Sequence, residues 1–125
     1  MKRALSILIM CFICLFISAK LPKKSLALIN RHYPQHIVKA YHKVDKYYFV
    51  LLNDDTRFWF KSNGDLIEVE GCVNTLIIPY QITNHMLWHY PNKKIRKYSK
   101  HKKGHSIYFK GGKRIEYNKR YKERK

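Results

Sequence analysis

Acid is scarce in this sequence: 125 residues carry 26 lysines and arginines against 8 aspartates and glutamates. Cysteine is scarcer still. Cys11 and Cys14 lie in an apolar N-terminal run, so the rest of the chain keeps Cys72 alone. One cysteine makes no internal disulfide, which excludes a cross-linked scaffold and leaves stability to the core. With no Ser/His/Asp-type company beside it in sequence, Cys72 reads as a half-buried linker residue rather than a nucleophile. Long apolar runs are limited to Ala4–Ile17, shorter than the roughly 20 residues a spanning helix needs. Lys2-Arg3 precedes that run and Ser18-Ala19 follows it, the layout of a signal peptide cut after Ala19. An uncleaved anchor is the competing reading; lipid attachment fails because neither cysteine follows a small residue. The protein is expected to be exported, periplasmic or secreted. Beyond Ala19 there is no HExxH, GxSxG, P-loop or CxxC, and several carboxylates fall in turn segments. Asp54-Asp55 and Asn63-Gly64-Asp65 lack the ligand spacing of a calcium loop. No catalytic residue, metal or cofactor is expected.

The chain does contain an internal echo. Leu21–Pro34 returns as Ile78–Pro91, and the offset that carries Leu21 to Ile78 holds without a gap well beyond that segment. It pairs Pro22 with Pro79, His32-Tyr33-Pro34 with His89-Tyr90-Pro91, Tyr41 with Tyr98, and Arg57 with Arg114. Two repeats are expected, residues 20–71 and 78–118, followed by a basic tail, 119–125. About 105 residues without a disulfide favour one shared core over two marginal halves of about 50.

Each repeat begins with a short helix. Pro22 and Pro79 suit its first turn, and Pro34 and Pro91 end it. Leu26, Ile29 and Tyr33, like Ile82, Met86 and Tyr90, are spaced to face inward. His32 and His89 fall in the last turn, where a cation is favoured; they are too far apart and too poor in acidic company to suggest metal. Strands are expected over His36–Lys43, Lys46–Leu52, Thr56–Lys61 and Leu66–Glu70, then Lys93–Lys100, His105–Lys110 and Lys113–Asn118. Asn53-Asp54-Asp55, Ser62-Asn63-Gly64-Asp65 and Gly111-Gly112 are turns. The three-residue steps Val38 to Tyr41 and Ile95 to Tyr98 hint at a bulge. Lys119–Lys125 is too polar to assign as a strand and is expected to fray.

Strand alternation separates the two faces. Val50, Leu52, Phe58 and Phe60 match apolar or aromatic residues in the second copy and should face the helices. The alternate positions Tyr47, Phe49, Leu51 and Trp59 match Gly104, Ser106, Tyr108 and Glu116. They should form an exposed aromatic cluster on the opposite face, with Arg57, Tyr108 and Arg114 near it, the composition of a protein-binding hot spot. The competing reading has the segment Cys72–Ile78 fold over that cluster. A second candidate surface is basic. Residues 20–77 hold 9 basic and 6 acidic side chains, residues 78–125 hold 15 and 2. Lys93, Lys94, Arg96, Lys97, Lys100, Lys102, Lys103 and the tail could meet anionic lipid, lipopolysaccharide or another polyanion. Export sets nucleic acid aside, and a solvated basic face remains the plainer alternative.

A signal peptide followed by helix–strand–strand–strand units, opening on (Leu/Ile)-Pro…His-Tyr-Pro and carrying Phe58-Trp-Phe-Lys-Ser-Asn-Gly-Asp-Leu-Ile-Glu-Val-Glu70, resembles the PepSY-like family. The resemblance runs from Leu21 to about Tyr117. These are small exported proteins of Bacteroidetes whose tandem copies resemble the β-lactamase inhibitory protein fold. It implies an α+β fold of tandem helix–β-β-β(-β) repeats, an antiparallel sheet of seven or eight strands with two helices on one face. It also implies binding, and inhibition, of an extracytoplasmic protein. The second copy lacks the Asn-Gly turn after Tyr117 and is far more basic. The matching motifs are turns and core strands, and fold analogy names no target.

Overall fold

Two prolines set where the helices start. Pro22 and Pro79 occupy the capping position just outside each helix, with extended backbone, rather than its first turn. The Pro22 carbonyl already accepts the first helical bonds, from the N–H groups of Ser25 and Leu26. Helix α1 is Lys23–His32 and α2 is Tyr80–His89; each ends at a tyrosine whose N–H still bonds back into the last turn. The computed structural model describes residues 21–124, so the expected signal peptide, residues 1–19, and its cleavage point lie outside the described residues.

Strands β1 (Val38–Val44), β2 (Tyr47–Leu52), β3 (Arg57–Lys61) and β4 (Leu66–Glu70) follow α1. A 3-10 turn, Thr75–Ile77, leads into α2, then β5 (Ile95–His101), β6 (Gly104–Phe109), β7 (Arg114–Asn118) and β8 (Glu123–Arg124). All eight join one antiparallel sheet in sequential order, β1 to β8. The expected strands lie within one or two residues of these. Two register shifts fall where the three-residue spacings put them, between Val38 and Ala40 and between Ile95 and Lys97; a third, between Trp59 and Phe60 against β4, has no such signal. The turn glycines Gly111 and Gly112, like Gly64, have positive φ.

One expectation fails at the C-terminus. The tail does not simply fray: Glu116 pairs with Arg124 and Tyr117 with Glu123. The Asn118 side-chain oxygen accepts from the N–H groups of Arg120 and Lys122, at 2.8 and 3.0 Å, and Tyr121 takes a left-handed φ of 65° to close the turn. Tertiary contacts then hold the strand. The Tyr90 hydroxyl donates to Glu123 Oε1 at 2.6 Å, and the Tyr121 ring lies 5.4 Å from that of His105. That carboxylate holds the Tyr90 phenol above its usual pKa. A polar tail becomes a strand because the ladder and these contacts satisfy its polar groups.

Both helices pack on one face. Ile29, Ile82 and Met86 press onto Val50, Leu52, Phe58, Phe60, Ile107, Phe109, Ile115 and Tyr117, all buried. These sheet positions are the ones that alternation assigns inward. Tyr33 meets Phe58 edge-on at 5.2 Å, and Tyr90 meets Phe109 at 5.7 Å. In α1 the fully buried position before Ile29 is Ser25 rather than Leu26; its hydroxyl donates to the Gly64 carbonyl at 3.1 Å. That close approach is where a helix meets a turn, and only a small side chain fits.

The linker lies on the helix side of the sheet. The Tyr33 hydroxyl donates to the Cys72 carbonyl at 2.6 Å and accepts from the Asn74 N–H at 2.9 Å, and Asn74 Nδ2 donates to the His32 carbonyl. Burial pushes the Tyr33 phenol up to about 12, so it stays a donor. Ile78 then enters the core. Cys72 is exposed rather than half-buried: its backbone N–H is tied to the Thr56 hydroxyl while the residue faces solvent. The competing reading, in which this segment covers the aromatic cluster, is not what the chain does.

Candidate functional site

The face opposite the helices is built from three cross-strand rows. The first runs Ala40, Leu51, Arg57, Glu70, Lys97, Tyr108, Arg114; the second runs His42, Phe49, Trp59, Glu68, Ser99, Ser106, Glu116. Val44, Tyr47 and Lys61 begin the third. Tyr47, Phe49, Leu51, Arg57, Trp59, Tyr108 and Arg114, the residues expected to bind a partner, therefore share one face, as period-2 alternation requires. They divide into two zones.

The first zone is apolar. Phe49 and Trp59 are cross-strand neighbours with ring centroids 5.0 Å apart, flanked by Leu51, Tyr47 and Val44. The expected full exposure holds only for the rim: Tyr47 is 43% exposed, whereas Phe49, Leu51 and Trp59 are half-buried. Neighbouring rings on a pleated surface shield one another. The second zone is cationic around a ring. The cationic groups of Arg96, Lys97 and Arg114 sit 5.5, 4.9 and 5.9 Å from the Tyr108 centroid, within cation–π reach. The bulge in β5 is what lets consecutive Arg96 and Lys97 reach the same ring. Between the zones lie Glu68 and Glu70. Glu70 meets Arg57 at 3.6 Å and Arg96 at 3.5 Å, and Glu68 meets Lys97 at 3.2 Å and accepts from the Ser99 hydroxyl at 2.8 Å. Sequence reasoning missed these glutamates. Their register with cations on both neighbouring strands was the available signal.

A serine, a histidine and a glutamate also meet on this face. Ser106 Oγ donates to Glu116 Oε2 at 2.7 Å and lies 2.9 Å from His101 Nε2. A nucleophilic triad needs the histidine between hydroxyl and carboxylate, one ring nitrogen to each. Here the same Nε2 faces both, 3.5 Å from Glu116, and the serine hydroxyl donates its hydrogen bond directly to the carboxylate. With Ser106 only 4% exposed in mid-strand, the trio is a satisfied polar cluster rather than a relay. Among the described residues, no three His, Cys, Asp or Glu side chains are grouped to hold a metal ion.

The basic residues do not gather into one patch. Lys93 and Lys94 precede β5, Arg96 and Lys97 turn to the open face and meet Glu70 and Glu68, and Lys100, two residues after Tyr98 and opposite His105, is on the helix side. Lys102 and Lys103 form the β5–β6 turn. A strand of this length separates its ends by about 20 Å, and alternation divides its side chains between faces.

The geometry therefore defines a helix-backed antiparallel sheet whose distinctive chemistry lies on its uncovered face. Residues 45–122 match the family described as "Putative beta-lactamase-inhibitor-like, PepSY-like", and the chain belongs to that family. The fold is shared with solved structures. One is described as "a putative periplasmic protein of unknown function" from Bacteroides vulgatus: 24% identity, TM-score 0.77, covering 86% of this chain and 91% of that one. Another, described as "a putative calcium-regulated periplasmic protein" from Bacteroides thetaiotaomicron, has 19% identity and a TM-score of 0.78, covering 86% and 90%. A second Bacteroides vulgatus protein, also described as periplasmic, gives 20% identity and a TM-score of 0.76, with the same coverage. No curated protein matches. No helix among the described residues is long and apolar enough to cross a membrane.

Proposed function

We propose that this protein is an exported, non-catalytic binding module that holds an extracytoplasmic protein on the open face of its sheet and, by occupying that partner's surface, inhibits it. The observation that carries this reading is the Tyr47, Phe49, Leu51, Trp59 cluster on a face the helices leave uncovered. Eight strands at about 4.8 Å spacing give a face about 34 Å wide, enough for most of the roughly 800 Å² each partner contributes to a standard interface. Aromatic anchors beside arginine supply the central free energy, and the cation-ringed Tyr108 favours a partner with an acidic margin.

We further propose that the two halves are copies of one unit. In support, one constant offset carries Lys23–His32 to Tyr80–His89, Val38–Val44 to Ile95–His101, Tyr47–Leu52 to Gly104–Phe109 and Arg57–Lys61 to Arg114–Asn118. On that reading the aromatic cluster is a specialisation of the first copy, since its positions hold Gly104, Ser106, Tyr108 and Glu116 in the second, where Tyr108 is the one aromatic residue. A polyanion-binding reading through the residues from Lys93 to Lys103 is carried less far, because β5 distributes those cations over two faces and two ends.

The test is capture from cell-envelope extract at low and high salt, with wild type beside a Phe49→Ala/Trp59→Ala double variant. Truncating two central aromatic anchors costs about 2 kcal/mol or more each, so affinity for the partner should fall roughly a thousandfold. A partner held by wild type at high salt and lost by the variant, with both proteins melting cooperatively, supports the reading. Equal capture of the same material by both, at low salt only, would sink it.

A further inference from the structure

Among the described residues, the most exposed large apolar side chains are not on the sheet. Tyr80, Leu87 and Trp88 of α2 are 75%, 66% and 77% exposed, and Leu76, just before the helix, is 77% exposed. Positions 80, 84, 87 and 88 lie on one side of a helix, and Ile82 and Met86 on the other are buried in the core. So α2 carries large apolar groups on both sides, with Asn84 the polar residue in the middle of the outer stripe. The fold does not demand it: α1, which packs on the same face, carries Lys23, Asn30 and Arg31 at the corresponding places along its length, all exposed.

The surroundings of this stripe are cationic. Lys93 lines, with Tyr80, Leu87 and Tyr90, a groove of about 490 Å³ beside α2. Lys113 Nζ lies 4.7 Å from the Tyr90 ring centroid, and the Lys94 carbonyl accepts the Lys110 N–H, which brings those two residues together at the same end. Acid is placed elsewhere. Glu68, Glu70 and Glu116 are on the open face, and the four aspartates sit in the turns between β1 and β4. Only Glu123 approaches α2, and it is engaged by the Tyr90 hydroxyl with His85 Nε2 3.9 Å away.

We propose that the outer face of α2, with Leu76 and the flanking lysines, seats on the surface of an anionic phospholipid bilayer, placing Trp88 and the leucines at the boundary between headgroups and acyl chains. An amphipathic tryptophan and tyrosine beside leucine, framed by lysines, is the composition of an interfacial helix. Lysine is depleted at protein–protein interfaces, whereas each one near an anionic membrane adds attraction, so charge complementarity selects lipid. The helices and the open face are on opposite sides of the sheet. Seated this way, the aromatic cluster points away from the bilayer and remains free for a soluble partner. This inference is independent of the proposed protein-binding site.

Two tryptophans make the test direct. In the full chain, Trp59→Phe leaves Trp88 as the reporter, and Trp88→Phe leaves Trp59. With vesicles containing phosphatidylglycerol, Trp88 emission should shift to the blue and be quenched by brominated acyl chains, while Trp59 does neither. Vesicles of phosphatidylcholine alone should produce little shift. Lys93→Gln and Lys113→Gln should each weaken partitioning about fivefold. An unshifted Trp88 in anionic vesicles overturns the proposal, including when the chain binds through its apolar N-terminal run. So does a Trp88 shift that appears only on adding envelope protein, which would make the stripe a protein-docking surface.

Discussion

Gly104→Ala is expected to destabilise the fold by roughly 3–5 kcal/mol, a large part of the stability of a domain this size. Gly104 begins β6 at φ +143°, and a methyl group there would collide with the Tyr117 carbonyl oxygen and lie 2.8 Å from Asn118 backbone carbons. The obstruction is backbone, so no side-chain rotation relieves it. Opening the Gly104–Asn118 pair would also disturb the Asn118 turn that feeds β8. Gly111 separates strain from collision. It has φ +101° but nothing within 4 Å of an added methyl, so Gly111→Ala should cost only about 1–2 kcal/mol. Urea unfolding of both variants measures the difference; a Gly104→Ala midpoint near wild type would refute the geometry of β6 and β7.

A chain cut after Glu70 is expected not to fold cooperatively. It would keep α1 and four strands, yet lose the partners that complete them. Val69 is fully buried against Tyr98 across the β4–β5 ladder, and Glu68 and Glu70 pair there with Ser99 and Lys97. The Tyr33 hydroxyl would lose both its hydrogen-bond partners, Cys72 and Asn74, and with them the ties that fix the end of α1 to the linker. A unit of about 50 residues buries only some 60% of its unfolded surface, too little margin for such losses. A broad, featureless thermal transition is the expected outcome. A sharp sigmoidal melt would mean two independent cores.

The parts legible in sequence are those set by period. Val50, Leu52, Phe58 and Phe60, read against Ile107, Phe109, Ile115 and Tyr117, identify the buried face because both sets obey the same alternation. The bulges in β1 and β5 are legible from one extra residue before Tyr41 and Tyr98. What escapes depends on distant partners. Strand β8 has no apolar pattern; Tyr90, Tyr117 and His105 hold it from elsewhere in the chain. The Lys93–Lys103 run reads as one surface in sequence, yet neighbours in sequence are not neighbours on a strand face. Arg57 is legible as a companion of the aromatic cluster, but its pairing with Glu70 needs the register of the adjoining strand. The outer stripe of α2 escapes because Leu87 and Trp88 look like core residues in a helix. Comparing them with Asn30 and Arg31 is the signal that exposes them.

The measurement that bears most directly on the account is site-specific photo-cross-linking in whole envelopes, with a photoreactive residue in place of Leu51 on the sheet face or of Leu87 on α2. The expected result is a discrete protein adduct from position 51, and lipid adducts without a protein band from position 87. A protein band from position 87 and none from position 51 would contradict it, moving the binding face to the helices.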